Sequence, residues 1–190
     1  MPPTSRRGKQ SGTGFIRCYG LFWSAEEVNW FPGLSREGEF RLLGRFGVQA
    51  PKLAVCDFRA QSGIYVLYDD YGPQYVGLTR RTPIGDRLKA HRRDRHAGNW
   101  DRFSWFGFRE VLPDQLGDGT RALGPLPKQL MTNSDSTIGD IEALLIQALG
   151  THKRGNLVQM RFVAAEHWSQ VMRHDTDMLL EEVRICLSRY

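Results

Sequence analysis

Cysteine is scarce: the 190-residue chain has three, at positions 18, 56 and 186, with no pair at CxxC spacing. An odd, scattered set gives no disulfide framework and no cysteine-based zinc site, and its natural setting is a reducing, cytoplasmic one. No apolar run approaches the roughly 20 residues that a membrane-spanning helix needs. The opening stretch, 1–14, is polar and lacks the apolar segment of a signal peptide, so it reads as a flexible basic tail. There is no internal repeat. Against these absences stand 41% hydrophobic and 25% charged residues, an ordinary balance for a globular domain with a core. Lysine and arginine exceed aspartate and glutamate by 26 to 21, a net charge of +5, which favours an anionic partner.

Residues 15–61 read as an N-terminal extension. It has a strand near Phe15–Trp23, a helix start at Ser24–Glu27, and short strands around Phe40–Phe46 and Lys52–Phe58. A clearer unit spans 62–163. Ile64–Tyr68 is rich in β-branched and aromatic residues, Asp69–Pro73 is a turn, and Gln74–Leu78 is a second strand, together a hairpin. Thr82-Pro83 opens a helix running to about His96, since proline is tolerated where a helix begins. Phe103–Val111 is a third strand and 112–133 a loop. Thr137-x-x-Asp140 starts a second helix, whose Ile141, Leu144, Leu145, Ala148 and Leu149 have the spacing of a buried stripe. Trp168, Val171, Met172, Met178, Leu179 and Val183 place one or two helices in the C-terminal segment 164–190.

Chemistry gathers around the hairpin. Alternate strand residues share a face, so pairing Tyr68 with Gln74 sets Tyr65 opposite Gly77 and diagonal to Tyr75, leaving room beside the phenol. Arg87 and His91 are four apart on the next helix and share its face. Around them lie Arg80, Arg81, Arg92, Arg93 and Arg95, and arginine's planar fork suits phosphate. Lys153 and Arg154 extend a second basic loop. Glu142, at the first turn of its helix, is a carboxylate of the sort that helps hold Mg²⁺. Taken singly, each feature has a plainer reading: strand tyrosines, a solvated basic face, a dipole-favoured glutamate.

Taken in order, Gly63-Ile64-Tyr65, Tyr75-Val76-Gly77, Arg87, His91, Glu142 and Asn156 resemble the GIY-YIG nuclease family over about residues 63–157, with Val for Ile in the second string. The resemblance implies a small α+β domain, a three-stranded antiparallel sheet flanked by helices. It also implies metal-dependent endonuclease cleavage of nucleic-acid phosphodiesters, with DNA favoured. By position, Glu142 binds one Mg²⁺ or Mn²⁺, Arg87 neutralises the phosphate, and Tyr65 helps deprotonate the attacking water. Arg87 and the metal favour its phenolate, and His91 accepts or relays a proton. Tyr75 positions the water or Tyr65, while Gly63, Gly77 and Asn156 shape the site. Arg80, Arg81, Arg92, Arg95, Lys153 and Arg154 contact substrate. Whether Tyr65 or His91 finally takes the proton is open, as are the choice of DNA or RNA and the oligomeric state, a dimer included. The alternative is a module or subunit that binds nucleic acid without cutting it.

Overall fold

Strands dominate the computed structural model, which describes residues 14–32, 40–48, 52–79, 81–128, 134–149, 162 and 164–172. In chain order the elements are β1 (Cys18–Ser24), β2 (Leu43–Phe46), β3 (Ala54–Asp57), a 3-10 turn (Phe58–Ala60), β4 (Gly63–Asp69), β5 (Gly72–Thr79) and α1 (Ile84–His91). There follow β6 (Arg102–Gly107), β7 (Val111–Gln115), β8 (Arg121–Leu123), α2 (Ser134–Leu149), β9 (Glu166–His167) and β10 (Ser169–Gln170). The strands form two five-stranded mixed sheets, ordered β5-β4-β6-β1-β9 and β10-β2-β3-β8-β7.

This architecture overturns the expected small three-stranded antiparallel sheet flanked by helices. The hairpin and third strand exist as β5, β4 and β6, but β6 also pairs with β1 from the stretch read as an extension. The supposed loop 112–133 contributes β7 and β8 to the second sheet. Ser24–Glu27 is a turn rather than a helix start: the Ser24 hydroxyl accepts from the Glu26 N–H at 3.3 Å and no helix follows. The helix expected around Trp168 and Val171 is extended instead. Its backbone donors are taken by two different sheets, Trp168 N–H by the Tyr19 carbonyl at 2.8 Å and Val171 N–H by the Leu43 carbonyl at 2.9 Å. Tertiary pairing outweighs local periodicity there, because a buried N–H must find an acceptor. Met178, Leu179 and Val183 lie outside the described residues.

Aromatic side chains fill the space between the sheets. Trp23, Phe58, Phe103, Trp105 and Trp168 share one core, with the Trp105 ring 4.3 Å from Phe58 and 5.3 Å from Trp23 between centroids. Tyr65 and Leu67 of β4 face this core, together with Ile84 and Leu88 of α1. Val66 and Tyr68 face the opposite side, where Ala143 and Ala148 of α2 pack. The two helices therefore cover opposite faces of the first sheet.

Both helices depart from their expected bounds. α1 stops at His91, five residues early, because the Asp94 side chain folds back onto the His91 ring and the His96 N–H and favours a turn. α2 begins at Ser134, so Glu142 stands about two turns in, away from the dipole's positive end. Its buried face runs through Asp140, Ala143, Ile146 and Ala148, whereas Ile141, Leu145 and Leu149 are exposed. Two contacts select that face: Asp140 accepts from the Ile16 N–H at 3.3 Å, and the Tyr68 hydroxyl donates to the Ala148 carbonyl at 2.8 Å. Small side chains let the helix come that close.

Truncating Trp105 to alanine removes a ring that is 1% exposed and packed on both sides. The expected loss is about 3 to 5 kcal/mol, as for other buried aromatic truncations. Urea unfolding checks it; a loss under about 1 kcal/mol contradicts a single core shared by the two sheets.

Candidate active site

Two close approaches fix the hairpin that carries the site. Tyr65 pairs with Gly77 and Leu67 with Tyr75, as expected for the phenols, although the turn is tighter than the sequence implied. Asp69 pairs with Gly72 and Tyr68 with Pro73, and an irregularity between Leu67 and Tyr68 absorbs Gln74. A Cβ at Gly77 would collide with the Tyr65 ring, and one at Gly63 with the Phe106 carbonyl of the neighbouring strand. Only glycine lets the ring lie flat over β5 and lets β4 press against β6.

The Tyr65 hydroxyl is 2.7 Å from His91 Nε2, and His91 Nδ1 is 2.8 Å from Asp94 Oδ2. His91 closes α1 and is buried, with its carbonyl accepting from the Trp100 indole at 3.4 Å. Asp94 also takes the His96 N–H on Oδ1 at 2.8 Å. An acceptor at Nδ1 selects the tautomer that carries the proton there and leaves Nε2 to receive from the phenol. The result is a chain of hydrogen bonds, Tyr65 to His91 to Asp94, running from the core to the surface.

Two more groups complete it. Tyr75 is half-buried, its ring 6.0 Å from Tyr65, 5.1 Å from His91 and 4.6 Å from His96. Arg87 is exposed one turn before His91, and its guanidinium interacts with both phenols, which raises its pKa further. Burial pushes the Tyr65 phenol up to about 12, despite the opposing pull of Arg87. Arg87 alone therefore does not make Tyr65 a phenolate: removing the ring from water costs the anion more than one arginine returns. Burial likewise lowers the His91 pKa, with Asp94 opposing. At neutral pH the chain is therefore a neutral phenol donating to a neutral imidazole. Tyr65 is fully buried, so Tyr75 is the phenol that meets solvent.

Of the residues singled out in the sequence, Tyr65, Tyr75, Gly77, Arg87 and His91 come together. Gly63, two residues before Tyr65 on β4, lets that strand seat against β6. Arg81 and Arg95 are exposed beside α1, and Arg92 lies 5.1 Å above the Trp100 ring, all on the flank of the site. Arg80, Lys153, Arg154 and Asn156 lie outside the described residues. Glu142 is exposed on α2, across the sheet, and none of the interactions of Tyr65, Arg87 or His91 involves it. A lone exposed carboxylate fits a hydrated Mg²⁺ that also takes substrate phosphate. The arrangement does not itself bring that carboxylate to the phenols. Sequence reasoning missed Asp94 and His96; the signal was His91-x-x-Asp94-x-His96 at the end of the expected helix.

Comparison of the chain with protein-family models, with curated proteins and with solved structures found no match. Among the described residues no helix is long and apolar enough to cross a membrane.

Because the folded His91 pKa lies below the ordinary 6.5, the unfolded chain binds the proton more readily. Stability rises with pH through that window and is lost as pH falls through 6.5 towards the folded value. Urea midpoints between pH 7.5 and 5 should fall for the wild type and fall less for His91→Gln. Equal slopes for the two proteins contradict a buried neutral His91.

Proposed function

We propose that the chain is a metal-dependent endonuclease of the GIY-YIG kind, hydrolysing phosphodiester bonds of nucleic acid, DNA in the first place. One observation carries the reading: two phenols under an exposed arginine, with the inner phenol hydrogen-bonded to a histidine that is held by an aspartate.

The scissile phosphate docks on Arg87, whose fixed positive charge offsets the charge that builds on the phosphoryl oxygens. Tyr75 holds the attacking water through its phenol. As the water oxygen bonds to phosphorus, the bond to the leaving oxygen breaks with its electron pair and that oxygen takes a proton from solvent, while the water proton passes to Tyr75, that of Tyr75 to Tyr65, and that of Tyr65 to His91 Nε2. Each phenol loses one proton and gains one. His91 ends as imidazolium, stabilised by Asp94 at 2.8 Å. Because Tyr65 titrates at about 12, it serves as a conduit and His91 as the base. Arg81, Arg92 and Arg95 give affinity for the backbone without sequence choice, and a steep salt dependence. Glu142 would hold Mg²⁺ or Mn²⁺ through its exposed carboxylate, an ion that would supply positive charge to bound phosphate; because Glu142 lies across the sheet from Arg87, no step is routed through it.

A second reading has its own support. Glu142 stands apart from the phenols, which favours a module that holds nucleic acid without cutting it. A salt-sensitive gel shift with no cleavage under Mg²⁺ or Mn²⁺ identifies that outcome.

Labelled DNA incubated with Mg²⁺ separates the two readings. Wild type should cut, and Arg87→Ala should be slower by roughly 100-fold or more, the usual cost of losing one transition-state donor. Glu142→Ala should lose metal-dependent cleavage. Equal cleavage by all three proteins contradicts the assignment.

A further inference from the structure

Asp94 and His96 stand at the mouth of the relay. The side chains of His91, Asp94 and His96 each offer a ligand atom, and all three atoms lie within 4.8 Å of one another. They are the group of this kind found among the described residues. The His91 and His96 rings meet edge to face at 5.0 Å, and the Tyr75 ring packs against both, holding the two imidazoles in place. His91 is buried, whereas Asp94 and His96 reach solvent, so one side stays open to an incoming ion.

We propose that His91, Asp94 and His96 form a binding site for a transition-metal ion of the zinc type, separate from Glu142, and that its occupation stops the proton relay. Two imidazoles and one carboxylate suit Zn²⁺ and its neighbours, whereas Mg²⁺ prefers oxygen ligands and water. Three protein ligands with an open fourth position is a common zinc arrangement. Tetrahedral bonds of about 2.0 to 2.2 Å set ligand atoms roughly 3.3 Å apart. His91 Nδ1 and Asp94 Oδ2 already stand 2.8 Å apart, so the ion takes the place of the proton between them after a small widening. His96 already stands beside them and its half-exposed ring completes the set; its Nε2 accepts from Arg95 Nε at 3.2 Å, a bond that an ion on that nitrogen replaces.

The consequence follows from where the proton goes. With Nδ1 on the metal, the neutral imidazole keeps its one proton at Nε2. Nε2 then donates to the Tyr65 oxygen instead of accepting from it. His91 can no longer receive a proton from Tyr65, and Asp94 no longer awaits an imidazolium. This coupling rests on the proposed nuclease reading; the metal site itself does not.

The full chain is titrated with Zn²⁺ against a chromogenic chelator at pH 7.5, and with Co²⁺ while the visible absorption of a four-coordinate ion is followed. Wild type should bind one ion per chain with the Co²⁺ band present. His96→Ala should bind at least tenfold more weakly and lose the band, His96→Asp should recover much of the affinity, and His167→Ala should match wild type. Unchanged binding by His96→Ala, or weakened binding by His167→Ala alone, overturns the site. In Mg²⁺-supported cleavage, Zn²⁺ should inhibit wild type at concentrations that fill the site and should spare His96→Ala. Filling without inhibition overturns the coupling. If wild type cuts nothing, the nuclease reading and with it the coupling fail, and the two titrations alone decide the metal site.

Discussion

The hydrogen bond between the Tyr65 phenol and His91 Nε2 is the constraint around which this site is arranged. It joins a strand to the end of a helix at 2.7 Å, inside a core from which water is excluded. Several features elsewhere exist to permit it. Gly77 removes the side chain that would occupy the phenol's place, and Gly63 lets β4 seat against β6. Ile84 and Leu88 press α1 onto the aromatic core, so that its last residue meets the strand. Asp94 ends the helix and fixes the ring's tautomer at once.

Burial decides the chemistry of that bond. A tyrosine beside an arginine would ordinarily lean towards its anion, but here the loss of hydration wins. The same loss keeps His91 neutral. Donor and acceptor are thus both uncharged, so the bond between them stores no charge. The exposed Arg87 then stands where an anion can reach it. The two sheets keep this pair dry: Trp105 and Leu67, neighbours of Tyr65 in the core, are 1% exposed.

Much of the site was legible before the fold was. The Tyr65–Gly77 pairing follows from period-two alternation and a glycine at the partner position, and it survives a turn whose geometry was misjudged. Arg87 and His91 share a face through simple helical spacing. Elements that depend on distant partners were not legible. β1 joins β6 across a long stretch of sequence, and the strand at Ser169–Gln170 is made by its pairing with β2. In α2 the apolar residues permitted two faces, and the choice fell to Asp140 and Tyr68, whose contacts no periodicity encodes. Asp94 and His96 escaped notice because a turn, not a helix, brings them to His91.

The central claim is that the phenol–imidazole chain moves the proton that phosphodiester hydrolysis releases. A panel of single-stranded, duplex and branched DNA and RNA, incubated with Mg²⁺ or Mn²⁺ and either wild type or Tyr65→Phe, tests it most directly. The account predicts that wild type cuts at least one of these substrates and that the phenylalanine variant, with the conduit broken, cuts it far more slowly. Equal cleavage by both proteins, or none by wild type on any substrate, contradicts it.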